Sequence, residues 1–294
     1  MTAVQGIRLP DTPEPMYRWP GSGGLTLAAD SWGESSGPLV VLLHGGGQTR
    51  HAWKGTGERL AEAGYYVIAY DARGHGDSDW APDGDYTSDA LAEDLACIVE
   101  AAGGKRPALV GASMGGSTSL VAVGERHLTA SCIVLVDIAP HIDRSGAARI
   151  RAFMRQKPEG FTSLEEVADA IASYQPHRSR PSSLSGLAKN VRIAPSGKYI
   201  WHWDPKVSTS HSDLDEFERR LRRSAQNITV PCLVVRGASS DVLSEDGVRQ
   251  FLDLVPGSES LNVEGAAHMV AGDQNDPFAS AVINFLSKWI PAAH

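Results

Sequence analysis

Short apolar runs alternate with segments of helical periodicity along most of this chain. Leu39–Leu43 is apolar at every position, and Cys132–Val136 repeats the pattern. A continuous apolar run of this length is typical of a strand buried on both faces. Strands alternating with helices predict an α/β fold with a mostly parallel central sheet and helices on both faces, because right-handed crossovers allow few alternatives. The predicted strands span residues 25–32, 39–43, 66–70, 108–110, 132–136, 232–235 and 259–263, and the predicted helices span residues 53–63, 87–102, 116–124, 246–255 and 277–289.

The alternation stops between residues 138 and 227. This segment has no apolar strand run and is rich in Arg and His. Its helical patches span residues 147–156, 163–174 and 213–224. We interpret residues 138–227 as an inserted helical cap, and residues 1–137 and 228–294 as one α/β core. The Pro- and Gly-rich residues at the start predict an extended arm that ends in a turn.

Composition narrows the range of partners. The 294 residues carry a net charge of −8 and a pI near 5.7, which disfavours nucleic acid as a ligand. No apolar run approaches the roughly 20 residues that cross a bilayer, and the start lacks a basic region followed by an apolar one. We therefore expect no membrane partner and a cytoplasmic protein. Cys97, Cys132 and Cys232 have neither disulfide nor zinc-site spacing, so we expect no metal and no cofactor.

A candidate nucleophile lies between a predicted strand and a predicted helix. Gly111-Ala112-Ser113-Met114-Gly115 fits the pattern G-x-S-x-G. A serine on so sharp a turn needs glycine at both flanks, where side chains would clash. The following helix N-terminus adds positive potential where negative charge develops. An accidental match in a Gly-rich chain is the alternative, and the strand and helix on either side argue against it.

A glycine-rich loop follows the strand Leu39–Leu43. His44-Gly45-Gly46-Gly47 is similar to the HGGG-type oxyanion loop, in which backbone N–H groups approach a developing oxyanion. We assign the donors to Gly46 and Met114, and expect Gly45 and Gly47 to border the substrate. A merely flexible turn is the alternative for the glycines, and His44 is expected to hold the loop in place.

The nucleophile needs a base and an acid that orients it. His268 lies after a late strand and before the closing helix, where such a base is expected. Asp241 is the first acid after the strand at residues 232–235, which gives the order Ser, Asp, His. Asp137, at the end of Cys132–Val136, is the main competing acid, and Asp246 is a weaker one.

Together these residues resemble the α/β-hydrolase superfamily, over about residues 25–289. The stretches that carry the resemblance are His44 to Gln48, Asp71 to Gly76, the Ser113 turn, Asp241 and His268. Within that family the chain is similar to capped serine esterases, including those that cleave monoalkyl phthalates and other aromatic-acid monoesters. Dehalogenases and epoxide hydrolases of the family carry Asp where Ser113 stands, so the resemblance implies acyl chemistry. It also implies peracid formation as a side activity.

The cap offers candidate substrate-binding residues. Trp201 and Trp203 point the same way if they lie on a strand, and could wall an apolar pocket or simply pack the cap. The segment also holds basic residues that could bind a substrate carboxylate or form solvated surface. These basic residues are His177, Arg178, Arg180, Lys189 and Arg192.

The sequence therefore predicts a serine hydrolase that cleaves carboxylic esters of small, partly aromatic substrates through an acyl-enzyme. Two alternatives remain open at this point. One is a C–C bond hydrolase of the meta-cleavage type on the same triad, and the other is a non-catalytic ligand sensor on a hydrolase scaffold. The expected partner is a small-molecule ester, and the oligomeric state is left open.

Overall fold

A computed structural model describes residues 5–10, 12–174, 184–210, 213–273 and 275–292. Within these residues an eight-stranded sheet has the order β11-β10-β7-β6-β4-β5-β3-β2. Its strands from β4 to β11 run parallel, while β3 is antiparallel to β5 and β2 to β3. The strands are β1 (Ile7–Arg8), β2 (Tyr17–Pro20), β3 (Thr26–Trp32), β4 (Leu39–Leu43), β5 (Tyr66–Tyr70), β6 (Ala108–Ala112), β7 (Cys132–Val136), β8 (Val191–Ile193), β9 (Tyr199–Trp201), β10 (Cys232–Gly237) and β11 (Glu259–Val263).

Helices cover both faces of this sheet, which confirms the predicted α/β class. The α-helices are α1 (Lys54–Glu62), α2 (Ser88–Ala101), α3 (Met114–Gly124), α4 (Arg144–Arg155), α5 (Leu164–Tyr174), α6 (Leu214–Gln226), α7 (Glu245–Leu254), α8 (Val270–Asp273) and α9 (Asn275–Trp289). Side chains of β4 alternate between two apolar clusters: Val41 packs with α2, α3, α6 and α7, whereas Leu42 packs with α1 and α9. Burial on both faces explains why β4 is apolar at every position.

The segment between β7 and β10 contains strands as well as the expected helices. β8 pairs with β9 and, on its other side, with β1, so the N-terminal arm belongs to a three-stranded antiparallel sheet with this insertion. Strands of two or three residues leave no periodicity to detect, so the sequence did not predict them. The last helix of the insertion, α6, packs on α3 through Leu221 and Ala225, which lie in the main core.

A buried network of charges joins the arm, the core and the insertion. The Arg50 guanidinium is fully buried and donates to Asp71 (2.6 Å), Asp77 (2.9 Å) and Asp30 (2.9 Å). Arg192, adjacent to β1 in the small sheet, donates to the other oxygen of Asp77 at 2.9 Å. Burial raises the pKa of Asp71, but the charge of Arg50, the charge of His44 and two backbone hydrogen bonds together outweigh that effect and hold the pKa at about 2. Asp71 therefore stays ionised, and the network fixes the relative positions of the three parts.

Across the described part of the chain, every helix is too short or too polar to traverse a lipid bilayer.

Candidate active site

Ser113 lies at the sharp turn between β6 and α3. Its backbone has φ +46° and ψ −112°, a conformation that non-glycine residues rarely adopt. The turn is tight because α3 starts directly against β4: a Cβ on Gly115 would lie 2.4 Å from the carbonyl oxygen of Leu43. Strain of this kind persists only where the surrounding structure holds it, and here it projects Ser113 from the edge of the sheet.

His268 follows β11 and lies beside the same cavity as Ser113. Both residues line that cavity, so the base that the sequence predicts and the candidate nucleophile come together. The Nδ1 atom of His268 donates to Oδ2 of Asp137 at 2.8 Å. Because Nδ1 carries the proton in this bond, Nε2 of the neutral ring is left as an acceptor.

Asp137 directly follows β7, the neighbour of the strand that leads to Ser113. Its side chain is fully buried and its φ is +52°. The carboxylate accepts hydrogen bonds from the N–H of Gly237 (3.0 Å), from the hydroxyl of Ser240 and from His268. A carboxylate held by several donors at once is a fixed acceptor, and it sets both the tautomer and the orientation of the imidazole.

The prediction that Asp241 orients the base is wrong. The Asp241 side chain is 53% exposed and forms an ion pair with Arg149 of α4. After β10 the chain makes a tight turn, in which Ser240 N–H donates to the carbonyl of Gly237 at 2.9 Å. This turn directs the hydroxyl of Ser240 at Asp137 and leaves Asp241 on the surface. Asp246, in the first turn of α7, is also on the surface and bonds Arg249.

The loop after β4 leaves one free N–H group facing the site. Gly45 N–H donates to Oε1 of Gln48 (2.8 Å), and Gly47 N–H donates to Nε2 of His75 (3.1 Å). The N–H groups of Gly46 and Met114 have no hydrogen-bond partner among residues 5–10, 12–174, 184–210, 213–273 and 275–292. Both residues border the space in front of Ser113. Two unpaired donors beside a nucleophile suit a developing oxyanion.

Buried, neutral histidines hold this loop. His44 donates from Nδ1 to the carbonyl of Gly45 (2.8 Å) and accepts from Ala72 N–H (3.0 Å). His202, from the insertion, contacts the carbonyl of Gly47 at 3.3 Å and accepts from the N–H of Gly76 at 2.8 Å. Burial lowers the pKa of His44 and His202 and brings that of His75 to about 3. The sequence predicted a structural His44, but it did not predict that His75 and His202 meet at Gly47.

Three cavities include Ser113 in their lining, one of about 150 Å³ beside Met269 and Val270 and two that the insertion borders. Of the two bordered by the insertion, the larger, about 370 Å³, includes His268 and Gly46 in its lining. The smaller, about 170 Å³, also includes Gly46 and extends to the other side of Ser113 along α3, α4 and α6. The lining of the smaller cavity is largely apolar and includes Leu91, Ile138, Ile142, Met154, Leu214 and Phe217.

The predicted binding residues of the insertion have different positions. Trp201 and Trp203 line the larger cavity and stack on each other, with ring centroids 4.7 Å apart and planes inclined by 11°. Lys189 also lines it. Arg192 does not, because it is buried against Asp77. Gly45 and Gly47 line the larger cavity as well. The remaining basic candidates, His177, Arg178 and Arg180, lie outside the described residues.

Comparison with known proteins agrees with this geometry. The sequence profile of the α/β-hydrolase fold family matches residues 38–273. This chain belongs to the α/β-hydrolase family. The match extends from the strand before the glycine-rich loop to the region just after His268, and thus covers every residue of the candidate site.

Relatives of this α/β-hydrolase include named esterases. Esterase Rv0045c of Mycobacterium tuberculosis is 27% identical over 254 residues, which are 84% of this chain and 82% of that protein. A crystal structure of that esterase superimposes with a TM-score of 0.74, covering 94% of this chain and 93% of the other. The 2-(acetamidomethylene)succinate hydrolase of Mesorhizobium japonicum is 26% identical over 90% of this chain and 92% of its own length.

Proposed function

We propose that this α/β-hydrolase cleaves carboxylic esters through an acyl-enzyme on Ser113, with His268 as the base and Asp137 as the residue that orients it. One observation carries the proposal: His268 is bonded through Nδ1 to a buried carboxylate while it shares a cavity with a strained serine at a helix N-terminus. This is the relation between nucleophile, base and orienting acid that acyl transfer requires.

The steps follow from these positions. Nε2 of His268 takes the hydroxyl proton as Ser113 Oγ attacks the carbonyl carbon, and the N–H groups of Gly46 and Met114 stabilise the oxyanion. The tetrahedral intermediate then expels the alcohol, to which His268 gives the proton, and the acyl group stays on Ser113. Water deprotonated by His268 attacks the acyl-enzyme, releases the acid and restores the serine.

The proton transfer assigns the two halves of the substrate to the two cavities. The alcohol must leave beside His268, which lines the larger cavity and the one of about 150 Å³ but is absent from the described lining of the smaller of the two that the insertion borders. We place the alcohol in the larger cavity, because its volume of about 370 Å³ leaves more room for it. The acyl group then occupies the smaller cavity, whose apolar walls and volume of about 170 Å³ suit a short or medium chain. The stacked Trp201 and Trp203 favour an aromatic group on the alcohol side.

We therefore propose that the substrates are esters of a small acid with an alcohol that carries an aromatic group. The relative from Mycobacterium tuberculosis is named an esterase, and this supports our proposal that the chain cleaves esters. We propose residues 138–227 as the cap that covers Ser113, since α4 contributes Ile150 and Phe153 to the larger cavity.

Hydrolysis of p-nitrophenyl acetate, butyrate and octanoate tests the proposal. We expect the butyrate to be turned over fastest and Ser113→Ala to lose on the order of 10⁴-fold or more in kcat. Ser119→Ala is a matched control, because Ser119 is on the same helix, is buried, bonds only the Gly115 carbonyl among the described residues and lines neither cavity.

Retention of activity in Ser113→Ala would contradict the serine mechanism. A wild-type protein that is inert on all esters, but bleaches a vinylogous diketone in a Ser113-dependent way, would replace ester cleavage with C–C cleavage.

A further inference from the structure

Lys189 is a cation in a cavity that otherwise lacks charged walls. It lies in the 3₁₀ turn Ser185–Asn190, just before β8, and lines the larger cavity together with Trp201, Trp203 and His268. Among the described residues that line this cavity, none is Asp or Glu, and Lys189 is the one Lys or Arg. Lys189 is partly buried, and a partly buried ammonium carries a desolvation cost unless something compensates its charge.

The described parts of the chain supply no such compensation. Lys189 forms no ion pair or side-chain hydrogen bond with any side chain that the structure describes, a set that does not include the side chain of Asp273. Burial and, next, the charge of Lys54 lower the pKa of Lys189. Three fully or nearly fully buried cations near the site are paired with carboxylates: Arg50 with Asp71, Arg73 with Asp94 and Arg192 with Asp77. Unlike these three arginines, Lys189 has no counter-ion among the side chains that the structure describes.

We propose that Lys189 binds a carboxylate on the leaving-group half of the substrate, so that the preferred substrates are esters of hydroxy acids such as a hydroxybenzoate. This inference rests on the proposed function, because the position of His268 is what makes the larger cavity the leaving-group side. The aromatic ring of such a group lies against Trp201 and Trp203, and its carboxylate meets the ammonium.

The net charge of the whole molecule opposes the approach of an anionic substrate, so such a substrate needs a local cation to hold it. With a net charge of −8, the protein repels anionic substrates at long range. An unpaired ammonium does not stabilise a bound neutral ester, and its partial burial carries a desolvation penalty. An anionic substrate recovers that penalty as a charge-assisted hydrogen bond in a partly dry site.

The test compares a matched pair of esters, 4-carboxyphenyl butanoate and 4-carbamoylphenyl butanoate. They share the acyl group and the shape of the leaving group and differ in charge. The measured quantity is the acid-to-amide ratio of kcat/KM, and we expect Lys189→Met to lower it roughly tenfold or more, mainly through KM of the acid. Lys189→Arg should recover part of the ratio. Lys206→Met is the control, since Lys206 is exposed, belongs to the same insertion and lines neither cavity.

A second measurement does not depend on turnover. Calorimetric binding of 4-hydroxybenzoate and 4-hydroxybenzamide to wild type should favour the acid, and Lys189→Met should remove that preference. If both esters are hydrolysed and the ratio is equal in wild type and Lys189→Met, the inference about Lys189 is overturned while the esterase proposal stands. If neither ester is hydrolysed yet the binding preference depends on Lys189, the proposed function fails and the anion site stands.

The position of the carboxylate is tested separately. Phenyl hydrogen succinate and phenyl succinamate carry the acid and the amide on the acyl side. A Lys189-dependent preference for this acid would overturn the assignment of the carboxylate to the leaving group.

Discussion

Exchange of Asp137 for asparagine tests which acid orients His268. The structure indicates Asp137, whereas the order Ser, Asp, His along the chain predicted Asp241. In Asp137→Asn the side chain keeps its size but presents an amide where the carboxylate accepts from Gly237, Ser240 and His268. The amide oxygen still accepts a hydrogen bond, but the amide NH₂ is itself a donor and faces one of these donor groups. His268 then loses the acceptor that keeps the proton on Nδ1. Loss of the correct tautomer lowers acyl-transfer rates by about 10⁴-fold, which corresponds to about 5.4 kcal/mol in the barrier at about 1.36 kcal/mol per tenfold.

Asp241→Asn is the matched comparison for Asp137→Asn. Each change removes one carboxylate, one after β7 and the other after the neighbouring strand β10. The Asp241 side chain is 53% exposed and pairs with Arg149, which is 52% exposed. An exposed ion pair contributes roughly 0–1 kcal/mol, and this pair does not touch His268 or Ser113. We therefore expect Asp241→Asn to keep the rate within about a factor of five of wild type.

The assay is the second-order rate of Ser113 labelling by a fluorophosphonate, which reports serine reactivity without knowledge of the substrate. Thermal unfolding of each variant separates a lost fold from lost reactivity. If Asp137→Asn folds and labels at the wild-type rate while Asp241→Asn does not label, the assignment of Asp137 is refuted.

Two further predictions concern the surroundings of the site. Acidification should destabilise the protein below about pH 6.5, because burial lowers the folded-state pKa of His44, His75 and His202. Below that pH the unfolded chain binds more protons at these histidines than the folded protein does. The free energy of unfolding then falls by up to about 1.4 kcal/mol per pH unit for each histidine. Urea titrations from pH 7 to 5 measure this, and a flat profile would contradict it. Gly237→Ala should lose about 1–3 kcal/mol and slow Ser113 labelling, because its Cβ would lie 2.2 Å from the carbonyl of Ala267, next to His268. Gly186→Ala, whose Cβ would meet nothing within 4 Å among the residues that the structure describes, should leave the melting temperature and the labelling rate unchanged. Equal effects of the two changes would argue against a steric cause.

The inner strands of the central sheet could be predicted from the sequence because they are buried on both faces. The bounds predicted for β4, β5 and β7 coincide with those in the structure. The bounds predicted for the edge strand β11 coincide as well, although β11 is mostly exposed. The small sheet could not be predicted, because β1, β8 and β9 have two or three residues each and form by pairing with distant parts of the chain. Its register depends on tertiary contacts and leaves no alternating pattern.

The site divides in the same way. Ser113 stands out in sequence because a strand, two glycines and a helix surround it, and His268 because it lies between a late strand and the closing helix. The acid is different, since β7 and β10 are neighbours in the sheet and both end near His268. Chain order does not decide between Asp137 and Asp241. The decision comes from the positive φ of Asp137 and from the turn that presents Ser240, which are properties of the folded backbone.

The pairing of β1 with β8 also constrains how the molecule is assembled during synthesis. Ile7 is opposite Ile193, so β1 finds its strand partner only after strands β2 to β7 have been translated. Until then Arg8 and Asp77 can meet, but Arg192 is still absent from their network. Closure of so long a loop is entropically unfavourable and slow compared with the pairing of consecutive strands. We therefore expect the arm to dock late and to fasten the insertion after strands β2 to β7 have paired.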